Sequence, residues 1–189
     1  MKKYLILVTL FLSNCIALNI SYAAKPTMAT LISANKITPN LPTALADLKK
    51  KTNIAVIFPK AIPQDDGIKQ YYANIELPQK PVYYHYLINI DATPDCNGAS
   101  VCNFGYLRAK QGGKPEVFRD GDNQVITVVV SLANHIQGYF TPGHAMGSFF
   151  PALLEWQKDG VLYSLSWKIP PAQEESSLIE MANTAILGH

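Results

Sequence analysis

The chain has 189 residues, 48% of them hydrophobic and 16% charged, with 16 Lys and Arg against 14 Asp and Glu. A charged fraction well below the roughly 25% of ordinary soluble domains leaves ample apolar surface to bury, which excludes disorder along most of the length. The near-balanced charge excludes the basic footprint of a nucleic-acid or anionic-membrane binder, and the length suits one domain that needs no metal to hold its core.

Residues 1–23 read as a secretory leader. Lys2 and Lys3 form the charged start, an apolar stretch comes next, and Ser21 and Ala23 supply the small residues a signal peptidase requires. Cleavage after Ala23 leaves 14 basic and 14 acidic residues. Two other readings stay open. One is an uncleaved anchor, although Ser13, Asn14 and Asn19 interrupt an apolar run shorter than the roughly 20 residues of a span. The other is lipidation at Cys15, where Asn14 stands in the place of the small residue such a signal wants. The predicted location is therefore the periplasm or the extracellular space, with no stable membrane span in the mature chain. Of the three cysteines, Cys96 and Cys102 remain in the mature chain, and an even count in an oxidising compartment predicts a disulfide. Five intervening residues do not match a redox Cys-x-x-Cys pair, and a metal site would need further ligands.

Residues 24–40 lack periodicity and predict an extended lead-in to a single domain over residues 41–189. Leu41, Ala44, Leu45 and Leu48 at helical spacing predict a helix over residues 41–51, with Asn40 as N-cap and Pro42 in the first turn. The β-branched run of residues 54–58 predicts a buried strand, and residues 68–77 another. In the next strand Val82, Tyr84, Tyr86, Ile88 and Ile90 share one face, predicted to be core, and Tyr83, His85, Leu87, Asn89 and Asp91 the other. Residues 104–110 and 124–132 predict two strands, with antiparallel pairing as the economical arrangement. Residues 153–157 and 161–168 flank Lys158-Asp159-Gly160, a hairpin signal. Leu178, Met181, Ala182, Ala185 and Ile186 form the stripe of a C-terminal helix, with Ser177 and Glu180 spaced as a capping box and Gly188 as the stop. Strands joined by short turns, with helices near both ends, predict an α+β fold: a mainly antiparallel sheet with an N-terminal and a C-terminal helix packed on it.

Four pieces taken in order, Thr93-Pro-Asp-Cys-Asn-Gly-Ala-Ser-Val-Cys-Asn-Phe-Gly105, Gly138-Tyr-Phe-Thr-Pro142, Glu155-Trp-Gln-Lys-Asp-Gly-Val-Leu-Tyr163 and Met181-Ala-Asn-Thr-Ala-Ile186, resemble a group of exported bacterial proteins of unassigned function. Residues 150–187 are also distantly similar to a domain of bacterial envelope and anti-sigma-associated proteins, in which a hairpin with spaced Trp, Gly and Tyr residues, as Trp156, Gly160 and Tyr163 are here, precedes a helix ending in an Ala-Asn motif. The resemblance implies export, an α+β fold and the Cys96–Cys102 bridge, and brings no catalytic residue with it. In the exported group the Gly-Tyr-Phe-Thr segment is followed by cysteines; here residues 143–148 hold none.

The sequence carries no nucleophile elbow, phosphate loop, paired-His metal motif or Cys-x-x-Cys, so no catalytic residue, metal or cofactor is predicted. Asp120, Asp122 and Asn123 have the spacing that begins a calcium loop, yet a Val-rich strand occupies the place where the remaining ligands should stand, which favours a turn. His85 reads as a surface imidazole packed among strand neighbours. The glycine-punctuated, apolar stretch from Thr141 to Pro151 is the best candidate for a functional loop, and residues 138–151 supply Tyr139, Phe140, His144, Phe149 and Phe150 as candidate binding residues alongside the Tyr-rich sheet face. The expected function is a non-enzymatic module binding an envelope or extracellular protein or a small ligand. The rival is a small secreted hydrolase drawing its acid and base from Asp120, Asp122, His135 and His144. An envelope sensor module is a third possibility, suggested by the C-terminal similarity alone.

Overall fold

The computed structural model describes residues 30–65, 67–79, 83–143 and 150–188. The predicted leader, the first part of the lead-in, Val82, His144 and Phe149 lie outside the described residues. The rest of the lead-in is structured rather than merely extended. Strand β1 (Leu31–Ser33) pairs antiparallel with β2 (Ala61–Pro63), and a single turn, α1 (Ala34–Ile37), buries Ala34 and Ile37. Elements of three and four residues are too short to leave a periodic signal.

Helix α2 (Leu41–Lys51) comes next, burying Leu41 and Leu48 and placing Pro42 in the first turn, where a missing N–H costs little. Asn40 does not cap it through its side chain. The Asn40 carboxamide instead accepts from the Ala73 N–H at 3.0 Å and donates to the Ala73 carbonyl at 2.9 Å, so it pairs with a strand as a backbone would.

Residues 54–58 are buried as expected of a core strand, with Ile54, Val56, Ile57 and Phe58 in the main cluster, but they join no sheet. Tyrosine hydroxyls take over part of their backbone pairing. Tyr86 and Tyr163 both donate to the Ala55 carbonyl at 3.1 Å, and the Ile57 N–H donates to the Tyr86 oxygen at 3.3 Å. Buried backbone groups must find partners, and two phenols projecting from the sheet supply them here.

The main sheet has seven strands: β3 (Tyr72–Glu76), β4 (Tyr86–Asp91), β5 (Asn103–Gln111), β6 (Val128–Ser131), β7 (Gln137–Thr141), β8 (Ala152–Lys158) and β9 (Val161–Trp167). Their spatial order is β3-β4-β5-β9-β8-β7-β6, with every neighbouring pair antiparallel. Two meanders thus run from opposite edges and meet at the β5–β9 seam. The predicted pairing of residues 104–110 with 124–132 does not occur, because β9, β8 and β7 lie between β5 and β6. The second of those predicted strands is also shorter than expected, since residues before Val128 curl back through an isolated bridge between Arg119 and Val125.

Registered partners share a face. A row Ile75, Ile88, Leu107, Leu165, Leu154, Phe140 and Val128 crosses all seven strands on the core side. Tyr86, Ile88 and Ile90 are fully buried, as the period-two pattern of β4 requires. Tyr84 of the same predicted face precedes the strand and is half-buried, its hydroxyl donating to Glu76 at 2.9 Å, and Asn89 and Asp91 of the other face are buried as well. Helix α3 (Glu174–Leu187) lies against this side through the buried stripe Leu178, Met181, Ala182, Ala185 and Ile186. Each large side chain fully buried there contributes about 1.5–3 kcal/mol. The helix begins at Glu174, one turn earlier than a capping box at Ser177 would place it, and Ser177 is a buried interior residue. The β8–β9 hairpin turns on Asp159 (φ 51°) and Gly160 (φ 75°), the left-handed pair that a two-residue hairpin demands. Among the described residues no helix is long and apolar enough to cross a membrane.

Candidate functional site

The Cys96–Cys102 disulfide closes a tight loop after β4, in which Asn97 and Gly98 adopt positive φ. The loop is fixed to the sheet by Asp91, whose side chain is fully buried. Its carboxylate accepts from Asn74 Nδ2 at 2.6 Å, Asn103 Nδ2 at 2.9 Å and the Gly98 N–H at 3.4 Å. Several hydrogen bonds keep a buried carboxylate from being an uncompensated charge. On the far side of the loop Lys168 donates through Nζ to the Ser100 carbonyl and stands 5.9 Å from the Phe104 ring centre.

Held in this way, the loop forms one wall of an open groove of about 770 Å³ at the end of the sheet. Ser100 and Val101 come from the loop, Phe150 and Pro151 from the approach to β8, and Lys168, Ile169 and Pro170 from the connection between β9 and α3. Val101 is 90% exposed and Phe150 62% exposed. Glu174, the first residue of α3, lines this groove and also a second, of about 520 Å³, which includes Val128, Phe140, Pro142, Pro171 and Ile179. The Glu174 carboxylate accepts from the Gly143 N–H at 3.2 Å, which ties the end of β7 to the start of the helix.

Neither family models, nor curated proteins, nor solved structures show a match to this chain.

The structure separates the candidate binding residues. Tyr139 and Phe140 belong to β7 rather than to a loop, so their side chains point to opposite faces of the sheet. Phe140 is buried in the core side and reaches the smaller groove, whereas the half-buried Tyr139 bonds through its hydroxyl to Gln137 at 2.8 Å. Phe150 alone of the described three stands exposed in the larger groove.

Of the residues proposed for hydrolysis, His144 lies outside the described residues, and the described three, Asp120, Asp122 and His135, are not brought together. Asp120 Oδ1 accepts from the N–H groups of Asp122 and Gln124 at 3.0 and 2.8 Å, the bonding of a turn. That turn precedes β6, while His135 sits past its other end, in a tight turn where both Asn134 and His135 have positive φ. His85 accepts at Nδ1 from the Gln111 N–H at 3.1 Å, so it serves the β4–β5 end of the sheet. Among the described residues no three or more His, Cys, Asp or Glu side chains converge to hold a metal ion.

Val101, Ile169 and Pro170 were not among the residues expected from the sequence. An apolar residue at the tip of a disulfide loop and an Ile-Pro pair between a strand and a helix were the available signals, but only the fold puts them side by side.

Proposed function

We propose that this chain is an exported binding domain that receives an apolar or aromatic segment of an envelope or extracellular partner in the groove between the disulfide loop and the start of α3. The observation that carries this reading is that exposed Val101 and Phe150 line one groove of about 770 Å³ together with Ile169 and Pro170. Apolar side chains clustered in a concave surface lose unfavourable contact with water when a partner covers them, which is the common character of recognition sites. The leader-like residues 1–23 and the disulfide support an oxidising location.

The test is site-specific photo-crosslinking in the native host, using the full chain with its leader. A crosslinking residue at position 101 should give a discrete adduct that disappears when Phe150→Ser is added. The same residue at position 50, on the exposed side of α2, should give none. Adducts identical at positions 101 and 50, or an adduct at 101 indifferent to Phe150→Ser, would overturn the reading.

A further inference from the structure

The sheet face opposite α3 carries its own row of registered partners: Glu76, Leu87, Arg108, Ser164, Glu155, Tyr139 and Val129. At its centre Glu155 and Ser164 are each 1% exposed. Glu155 Oε1 accepts from Ser164 Oγ at 2.6 Å, and Oε2 accepts from the Glu116 N–H at 2.8 Å. Residues 113–116 therefore form a strap across this face, held again where Gln157 Nε2 donates to the Gly113 carbonyl. Beneath the strap is a small pocket of about 110 Å³, lined by Arg108, Lys110, Lys114, Ser164 and Glu155, with the 78% exposed Tyr83 at its side.

Three cations around a space of this size need an explanation. Arg108 Nη2 reaches Glu155 Oε1 only at 3.4 Å, longer than the 2.7–2.9 Å of a strong guanidinium–carboxylate bond. The Ser164 hydroxyl and the Glu116 amide make the two shorter bonds to Glu155, and Arg108 is its third and longest partner. Arg108 engages none of its remaining N–H groups with a described residue and keeps about a third of its side chain exposed. Its guanidinium carbon lies 6.0 Å from the Tyr106 ring centre, and that contact together with Glu155 sets its direction. Neither Lys110 nor Lys114 makes an ion pair with a described residue. Glu116 is the other acid at the pocket, and as a residue it is exposed.

We infer that the pocket under the 113–116 strap is a binding site for an oxyanion group, a carboxylate, phosphate or sulfate carried by a small ligand. Arg108 supplies a pre-oriented fork of donors, Lys110 and Lys114 add point charges, and Glu155 with Ser164 acts by positioning Arg108. A guanidinium presents several donors in a fixed plane that matches such groups, and a pocket this small admits the charged head of a ligand while Tyr83 offers a surface to the remainder of that molecule.

The mature, oxidised chain is titrated with acetate, inorganic phosphate and sulfate in turn, against chloride at constant ionic strength, while backbone amide resonances of residues 108–116 are followed. At least one oxyanion is expected to give saturable shifts that chloride does not reproduce. Preference for acetate indicates a carboxylate ligand, and preference for phosphate or sulfate indicates a tetrahedral one. Arg108→Gln should abolish the response. Lys110→Gln combined with Lys114→Gln, which leaves Glu155 and its partners in place, should weaken it at least tenfold, and this double variant decides the matter if Arg108→Gln fails to fold. Shifts no larger than those with chloride, or equal saturation in the double variant, would overturn the assignment.

Discussion

Ser164 Oγ lies 2.6 Å from Glu155 Oε1 across the β8–β9 hairpin, with both residues closed off from water. Two positions along the same strand, equally buried, Ser166 Oγ donates to the Ala152 backbone carbonyl at 2.9 Å. The acceptor is a carboxylate for Ser164 and a backbone carbonyl for Ser166, whose hydroxyl also interacts with the Tyr106 phenol. Hydrogen bonds to charged groups contribute about 1.5–3 kcal/mol and neutral ones about 0.5–1.5. Ser164→Ala is therefore expected to cost about twice as much as Ser166→Ala, read from urea midpoints at unchanged slope. Equal losses would mean that Glu155 does not depend on the Ser164 hydroxyl.

Alkaline pH should destabilise the protein in a defined window. Burial, reinforced by the charge of Asp159, pushes the Tyr163 hydroxyl up to about 12, and burial pushes Tyr86 up as well. An unfolded tyrosine titrates near 10. The folded chain therefore holds protons that the unfolded chain releases, so stability is intact below pH of about 10 and falls as pH rises from there towards 12. Urea unfolding at a series of pH values should show this decline, and Tyr163→Phe should make it shallower while costing the bond to Ala55. A flat profile above pH of about 10 would contradict the burial of these phenols.

Gly105 faces Trp167 in the register of the β5–β9 seam. A Cβ built on Gly105 would stand 2.3 Å from Trp167 Cε3 and 2.6 Å from the Ser166 carbonyl oxygen. Neither neighbour can retreat, one being a fully buried indole and the other backbone. Gly105→Ala should cost about 3 kcal/mol, the upper part of the range for overpacking. Thermal unfolding of the variant checks it, and a near-neutral result would show that the indole lies elsewhere.

Removal of the disulfide by replacing Cys96 and Cys102 with Ser should cost about 2 kcal/mol, since closing so short a loop takes little entropy from the unfolded chain. Its larger consequence should fall on the groove wall that carries Val101. Hydrogen exchange should rise at residues 97–102 while the β5–β9 seam stays protected. The bond and the predicted processing are checked together by intact mass of protein from the native host: a chain beginning at Ala24 that gains two hydrogens on reduction. A lipid-bearing chain beginning at Cys15, or free thiols, would contradict export in the form proposed.

Local periodicity and turn chemistry by themselves determined the stripe of α3, the core face of β4 and the Asp159-Gly160 hairpin. Each of these is decided by residues within a few positions of one another, where side-chain spacing and backbone preference act directly. Tertiary structure alone decided that β5 joins β9 instead of β6, that residues 54–58 pair with tyrosine hydroxyls instead of a sheet, and that Tyr139 and Phe140 part to opposite faces. It also decided which residues line the two proposed sites. Arg108, Glu116, Glu155 and Ser164 come from three strands and a strap, and Val101, Phe150 and Ile169 from three connections. The serines at alternate positions of β9 and the lone Glu in β8 were visible as polar residues inside apolar strands. A period of two says which residues share a face, but not which strand lies beside it, and strand order is settled by burial summed over the whole sheet.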